Sequence, residues 1–363
     1  MRINLTQGIT SRRSFIKTCV STTVLTVAGS KLLTACTSEP VNSEASEASE
    51  AIESSPSVPA TPDKVTFVTS WFAQAEHGGY YQAVATGIYE KYGLDVTVQM
   101  GGPQVNNTQL LMGGLADFIM GTDSLVTLTA VQENIPKIAV AAIFQKSPRV
   151  IVAHPEVKSL EELRGQPVYV AGTADVTFWP FLKAQYGFDD SQKRPYNFSI
   201  APFLQDKNSA QQAFLSSEPF SIEKEGGFMP SIFLLADMGY NPYGSVIETK
   251  RELVESNPDL VQRFVNATIE GYASYLENPA PANELIKKDN PKMTDEQLAF
   301  GVEKMKEYGL IVSGDSEAMG IGAMTDARWE EFFTQMVEYG ILDAQTDYKQ
   351  AYTLQFVNQK VGV

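Results

Sequence analysis

The stretch KVTFVTSWFAQAEHGGYYQAVATGIYEKYGLDVTVQM, residues 64–100, sets the fold class of the whole chain. Val65 to Thr69 is a short apolar, β-branched run, and Val96 to Gln99 is a second. Between them Tyr81, Val84, Ala85, Ile88, Tyr89 and Tyr92 recur at helical spacing, which puts one apolar face on a helix. Strand, amphipathic helix, strand is the unit from which helix-flanked sheets are built. Phe118 to Met120 and Lys137 to Phe144 continue the pattern, each ending in a Gly, Pro or polar turn. The prediction is an α/β fold.

A second series opens near Val150. Arg149 to Ala153 reads as a strand, Ser159 with Glu162 as the cap of a short helix Leu160 to Leu163, and Pro167 to Ala171 as the next strand. It continues through Phe198 to Ala201 and a helix over Ala210 to Leu215, and closes with the apolar run Ser231 to Ala236. The remainder is almost entirely helical. Asn257 is placed to cap a helix with Pro258 in its first turn, and Val261, Phe264, Val265 and Thr268 share a face. A chain of about 300 ordered residues exceeds one core and suits two lobes with a cleft between them. The expected division is residues 64–146 plus 245–363 for lobe 1 and 147–244 for lobe 2, with a parallel-type sheet in each.

Ahead of this lies a leader. Ser11-Arg12-Arg13-Ser14-Phe15-Ile16-Lys17 matches the twin-arginine export pattern, and the apolar stretch Cys19 to Leu33 is too short and polar to be a membrane span. Leu33-Thr34-Ala35-Cys36 resembles a lipobox, so residues 1–35 are read as a signal peptide and Cys36 as the lipidated residue, a tether by acyl chains alone. Residues 37–63 are rich in Ser, Glu, Ala and Pro and carry too little apolar surface to fold, which suits a linker. The chain has two cysteines, Cys19 and Cys36, so its folded part offers no disulfide and no catalytic thiol. Beyond residue 35 it carries 23 basic and 43 acidic residues, a net charge of −20, which excludes nucleic acid as a partner.

Ligands of open α/β sheets sit beyond the carboxyl ends of the strands. Trp71, followed by the run His77-Gly78-Gly79-Tyr80-Tyr81, comes after the first strand, Gly102 after the second, and Thr122 and Asp123 after the third. In the second lobe Thr173 follows a strand, Thr177 and Trp179 stand near a helix start, and Glu218 lies in Ser217-Glu218-Pro219-Phe220 after a helix. Thr122 and Asp123 are equally suited to capping the helix Ser124 to Gln132. Two histidines, His77 and His154, are too few for a three-histidine metal site, and the strand-end His154 reads as structural. No G-x-S-x-G elbow or P-loop is present, and no cofactor is implied.

Trp71, the His77 to Ala83 run, Gly87, Gly93-Leu94-Asp95-Val96, Gly101-Gly102-Pro103, Gly113 to Phe118 and Ser159 to Gly165 resemble, in order and spacing, the solute-binding proteins related to thiamine-pyrimidine proteins. That group includes sulfonate, taurine and nitrate binders. The resemblance covers residues 64–363 and implies a periplasmic-binding-protein-like clamp. Such a clamp serves an ABC importer, is monomeric, hands a small molecule to permease and ATPase subunits, and is held on the extracytoplasmic side of a bacterial membrane. Within it, Trp71, Tyr80, Trp179 and Glu218 point to a planar nitrogen heterocycle of the thiamine-precursor pyrimidine type, with riboflavin as the alternative. A sulfonate, taurine or nitrate ligand is disfavoured by the carboxylate. The family's pyrimidine-synthase branch is an enzyme with a cysteine-rich iron patch, which the folded part of this chain lacks.

Overall fold

The computed structural model describes residues 61–361; the leader, Cys36 and most of the linker lie outside them. Ten strands carry the architecture: β1 Asp63–Val68, β2 Leu94–Gln99, β3 Phe118–Asp123, β4 Lys137–Phe144, β5 Arg149–Ala153, β6 Val168–Val170, β7 Lys193–Pro195, β8 Ala210–Phe214, β9 Ser231–Leu234 and β10 Gly244–Lys250. They form two five-stranded sheets, ordered β2-β1-β3-β10-β4 and β7-β6-β8-β5-β9, so the molecule is an α/β structure of two lobes. The chain passes from the first sheet to the second between Phe144 and Arg149 and returns between Leu234 and Gly244.

Both sheets are mixed, which corrects the parallel expectation. β1 runs parallel to β2 and β3, but β10 is antiparallel to β3 and β4. In the second sheet β6 is parallel to β7 and β8, while β5 is antiparallel to β8 and β9. The crossovers produce this: a strand arriving from the other lobe enters its sheet from the opposite direction.

Ala210 to Leu215 is a further correction, because Ala210–Phe214 is a strand and not a helix. Its Ala and Gln residues favour a helix locally, but pairing with β5 on one side and β6 on the other overrides that preference. Phe198 to Ala201 forms no strand; Phe198 stands in the left-handed region at φ 67, and a helix begins at Ala201. Ser159 does not cap Glu161–Leu163, and the Glu162 carboxylate instead accepts from the Lys158 N–H at 3.3 Å. The helix after β1 is two pieces, Gly78–Ala85 and Ile88–Lys91, broken where Gly87 adopts φ 71.

The long helix Pro258–Glu277 is capped by the Asn257 side chain on the Leu260 N–H at 3.2 Å. It rests on the first sheet, with Phe264 stacked on Phe118 at 4.1 Å between centroids. Gly78 and Gly79 are set against the same helix. A Cβ on either would lie 2.1 Å from the ring of Tyr275 or Tyr272, so these glycines permit helix contact. Among the described residues no helix is long and apolar enough to cross a membrane.

Candidate ligand-binding cleft

The carboxyl ends of the parallel strands of both sheets converge on one cleft. Ser70 and Trp71 follow β1, Thr122 is the penultimate residue of β3, Thr173 follows β6, and Phe214 ends β8 with Glu218 just beyond. These line a central compartment, with Gln74, Gln212 and Arg149. Ser70, Thr122 and Thr173 also border a second compartment, lined by Lys137 and Glu248 among others. Glu218 likewise borders a third, beside Tyr196, Phe198 and Lys292.

Arg149 comes from the amino end of β5, which reaches the cleft because β5 runs antiparallel to β8 and pairs Arg149 with Phe214. Its guanidinium lies 4.2 Å from the Phe214 ring centroid and 5.1 Å from that of Phe178, so it is held by cation–π contact. It is 9% exposed. Burial lowers its pKa, and Asp123 and Glu218 oppose that from a distance. No acidic group of the described residues pairs with it within 4 Å.

Glu218 is buried at the start of the helix Glu218–Gly226. One carboxylate oxygen accepts from the Tyr196 hydroxyl at 2.6 Å, the other from the Phe214 N–H at 2.8 Å. Burial raises its pKa, and those two bonds pull it back. Tyr196 also faces Trp71 across the cleft, ring planes 12° apart and centroids 6.2 Å apart. Phe198 stands edge-on to Trp71 at 6.5 Å.

The lobes touch beside this site. The Ser217 hydroxyl donates to Gln74 Oε1 at 2.8 Å, and the Ser216 hydroxyl donates to Glu76. The second oxygen of Glu76 is buried without a partner among the described residues, and burial raises this carboxyl's pKa to about 7.

Of the residues singled out from sequence, Trp71, Thr122, Thr173 and Glu218 meet in the central compartment. The others stand elsewhere. His77 is fully buried, neither ring nitrogen has a hydrogen-bond partner among the described residues, and burial pushes its pKa down to about 3. Tyr80 packs on Phe67 and Tyr272 in the core, and Tyr81 donates to Asp289 at 2.9 Å. Gly102 packs on the Phe72 ring. Asp123 spends one oxygen on the Leu125 and Val126 N–H groups and accepts from the Tyr240 hydroxyl on the other, a helix cap in full use. Thr177 bonds back to the Thr173 carbonyl at 2.9 Å. Trp179 is sealed inside the second lobe, its Nε1–H donating to Asp190 at 2.9 Å. Glu218 follows a strand, not a helix. His154 is buried, with Nε2 at 3.0 Å from the Phe203 carbonyl.

Arg149, Tyr196, Gln74 and Gln212 escaped the sequence reading. A rule that looks only beyond the carboxyl ends of strands passes over Arg149, which opens its strand. The signal was there as one charged residue heading the apolar run Val150 to Ala153.

Two α/β lobes enclosing a polar and aromatic cleft at their strand ends define the periplasmic-binding-protein fold. The aliphatic sulphonate binding protein SsuA from Escherichia coli shares it, with a TM-score of 0.57 and 14% identity over 80% of this chain and 92% of that one. So does the desulfurization enzyme DSZB, at a TM-score of 0.50 and 14% identity over 81% and 97%. The chain belongs to the NMT1/THI5-like family, whose model matches residues 74–282. It is also 25% identical to the riboflavin-binding protein RibY of Chloroflexus aurantiacus over 303 residues, 81% of this chain and 86% of that protein.

Proposed function

We propose that this chain is the extracytoplasmic solute-binding component of an ABC importer, closing its lobes on a planar nitrogen heterocycle and passing it unchanged to permease and ATPase subunits. The observation that supports this most directly is the Trp71–Tyr196 pair, one ring from each lobe, with Trp71 lining the compartment that holds Arg149 and Glu218 and Tyr196 donating to that same Glu218. A planar ring lying against such faces gains apolar burial and stacking. Because the contacts come from both lobes, ligand stabilises the closed arrangement. Pyrimidine precursors of thiamine and riboflavin both fit the reading, and the likeness to RibY favours riboflavin. Export by the twin-arginine route, with acyl chains on Cys36 as the only membrane attachment, belongs to the same proposal, as do action as a monomer and the absence of catalysis.

One observation favours a second reading. Arg149, unpaired among the described residues, suits a small anion such as a sulfonate, although Glu218 in the same compartment opposes it. Thermal unfolding with riboflavin, 4-amino-5-hydroxymethyl-2-methylpyrimidine, taurine and nitrate separates the two. A true ligand at about one hundred times its Kd adds about 2.7 kcal/mol of stability. A response to taurine or nitrate alone replaces the heterocycle reading, and no response to any compound removes the solute-binding one.

A further inference from the structure

We propose that Arg149, Gln212 and Glu218 select a heteroaromatic edge in which a ring N–H lies beside ring carbonyls, with the carbonyls meeting Arg149 and Gln212 and the N–H meeting Glu218. This rests on the ring-binding reading of the cleft and names the chemistry of the edge.

The donor and acceptor inventory carries it. The Arg149 guanidinium has five N–H donors, lines the central compartment, and makes no side-chain hydrogen bond or ion pair to the described residues. Its position is fixed by Phe214 and Phe178, not by an acceptor. A desolvated cation left without an acceptor is costly, so a site that retains one is built for an acceptor that arrives with the ligand. Gln212 spends its side-chain oxygen on the Ala171 N–H at 2.7 Å, which leaves its NH₂ as a further donor on the compartment wall. Glu218 is the acceptor lining the same compartment. Each of its oxygens already holds one bond, which orients the carboxylate and leaves a lone pair on each for a ligand donor.

Two donor groups and one acceptor complement an edge that reads acceptor, donor, acceptor, which is the pattern of a cyclic imide. An aminopyrimidine edge reads donor, acceptor: its amino group can meet Glu218 and its ring nitrogen one of the donors, which leaves the second donor group without a partner. A sulfonate satisfies Arg149 but brings a fixed negative charge beside Glu218.

The test is equilibrium binding to the wild-type chain of riboflavin, which carries the imide edge, 3-methylriboflavin, in which the imide N–H is blocked, and 4-amino-5-hydroxymethyl-2-methylpyrimidine. Riboflavin is expected to bind at least about tenfold tighter than either of the others, the scale of a lost charge-assisted hydrogen bond. Arg149→Met should weaken riboflavin by at least about tenfold while changing aminopyrimidine affinity little, a loss of selectivity that general destabilisation does not produce. If Arg149→Met does not fold, the three wild-type affinities decide the matter. Equal affinity for riboflavin and 3-methylriboflavin, or tighter binding of the aminopyrimidine, overturns the imide assignment and leaves the heterocycle reading standing. Binding of taurine alone overturns both.

Discussion

The indole of Trp71 and the phenol ring of Tyr196 lie almost parallel, 12° apart in plane and 6.2 Å apart in centroid, although one follows β1 in the first lobe and the other follows β7 in the second. Their contact therefore reports how the lobes are set. Trp179 is the internal contrast: a tryptophan of the same lobe as Tyr196, but sealed in its interior. Trp71→Ala should weaken a planar ligand by about tenfold to a hundredfold with little loss of stability. Trp179→Ala should cost about 3–5 kcal/mol of stability and leave the affinity of the folded protein unchanged. Fluorescence titration and urea unfolding of both variants check the pair, and swapped outcomes would move the binding surface into the second lobe.

Glu76 makes stability depend on pH. Its carboxyl is raised from 4.5 to about 7 in the folded chain, chiefly by burial. The folded state therefore holds the proton more tightly than the unfolded one, and this contribution is complete below about pH 4.5 and lost as pH rises through 7. His77 acts the other way: its pKa falls from 6.5 to about 3, so its cost grows as pH drops below 6.5. Glu76→Gln keeps the shape without the titration. Between pH 6 and 9 its melting temperature should fall less than that of the wild type, and at pH 9 it should be the more stable, by up to about 3 kcal/mol. Parallel melting curves across that range would show that Glu76 does not titrate there.

Lys137 and Glu248 form a buried ion pair at 2.7 Å lining the second compartment, and the Thr127 hydroxyl donates to Glu248 at 2.6 Å. Removing one charge strands the other. Glu248→Gln should cost about 3–5 kcal/mol, whereas Lys137→Met with Glu248→Leu should recover most of that loss. Chemical denaturation of the single and double variants measures the difference. Similar losses in both would mean that the pair is worth more than an apolar replacement of its volume.

Gly79 faces the Tyr272 ring, and a methyl group there would stand 2.1 Å from it. Gly79→Ala should cost about 1–3 kcal/mol by forcing the helices Gly78–Ala85 and Pro258–Glu277 apart. Ligand affinity measured on the folded protein should hold. A drop in affinity without a drop in melting temperature would return the glycine pair to the binding site.

The α/β class, β4 to the residue and the Asn257 cap were legible because each rests on local pattern: an apolar run of strand length, or an Asn–Pro pair ahead of a helical stripe. Local pattern also misled. Ala210 to Phe214 carries helix-favouring residues, and its strand form comes from neighbours far along the chain. Four of the eleven site residues named from sequence, Trp71, Thr122, Thr173 and Glu218, reach the central compartment, all at or within four residues of a strand end, but so placed are Gly102 and Asp123, which do not reach it. Tyr80, Tyr81 and Trp179 are buried away from the central compartment, since an aromatic side chain suits a core as well as a cleft and spacing alone does not tell the two apart.

By itself, the sequence determined the strand-and-helix alternation, a length that suits two lobes and the acidic net charge, since these follow from composition and periodicity. Only the tertiary structure decided that β5 and β10 run against their neighbours. That reversal brings Arg149, the first residue of its strand, to the same mouth as Glu218 and Trp71. Strand direction is fixed by hydrogen-bond pairing between distant segments, and a linear pattern of apolar residues reads the same in either direction.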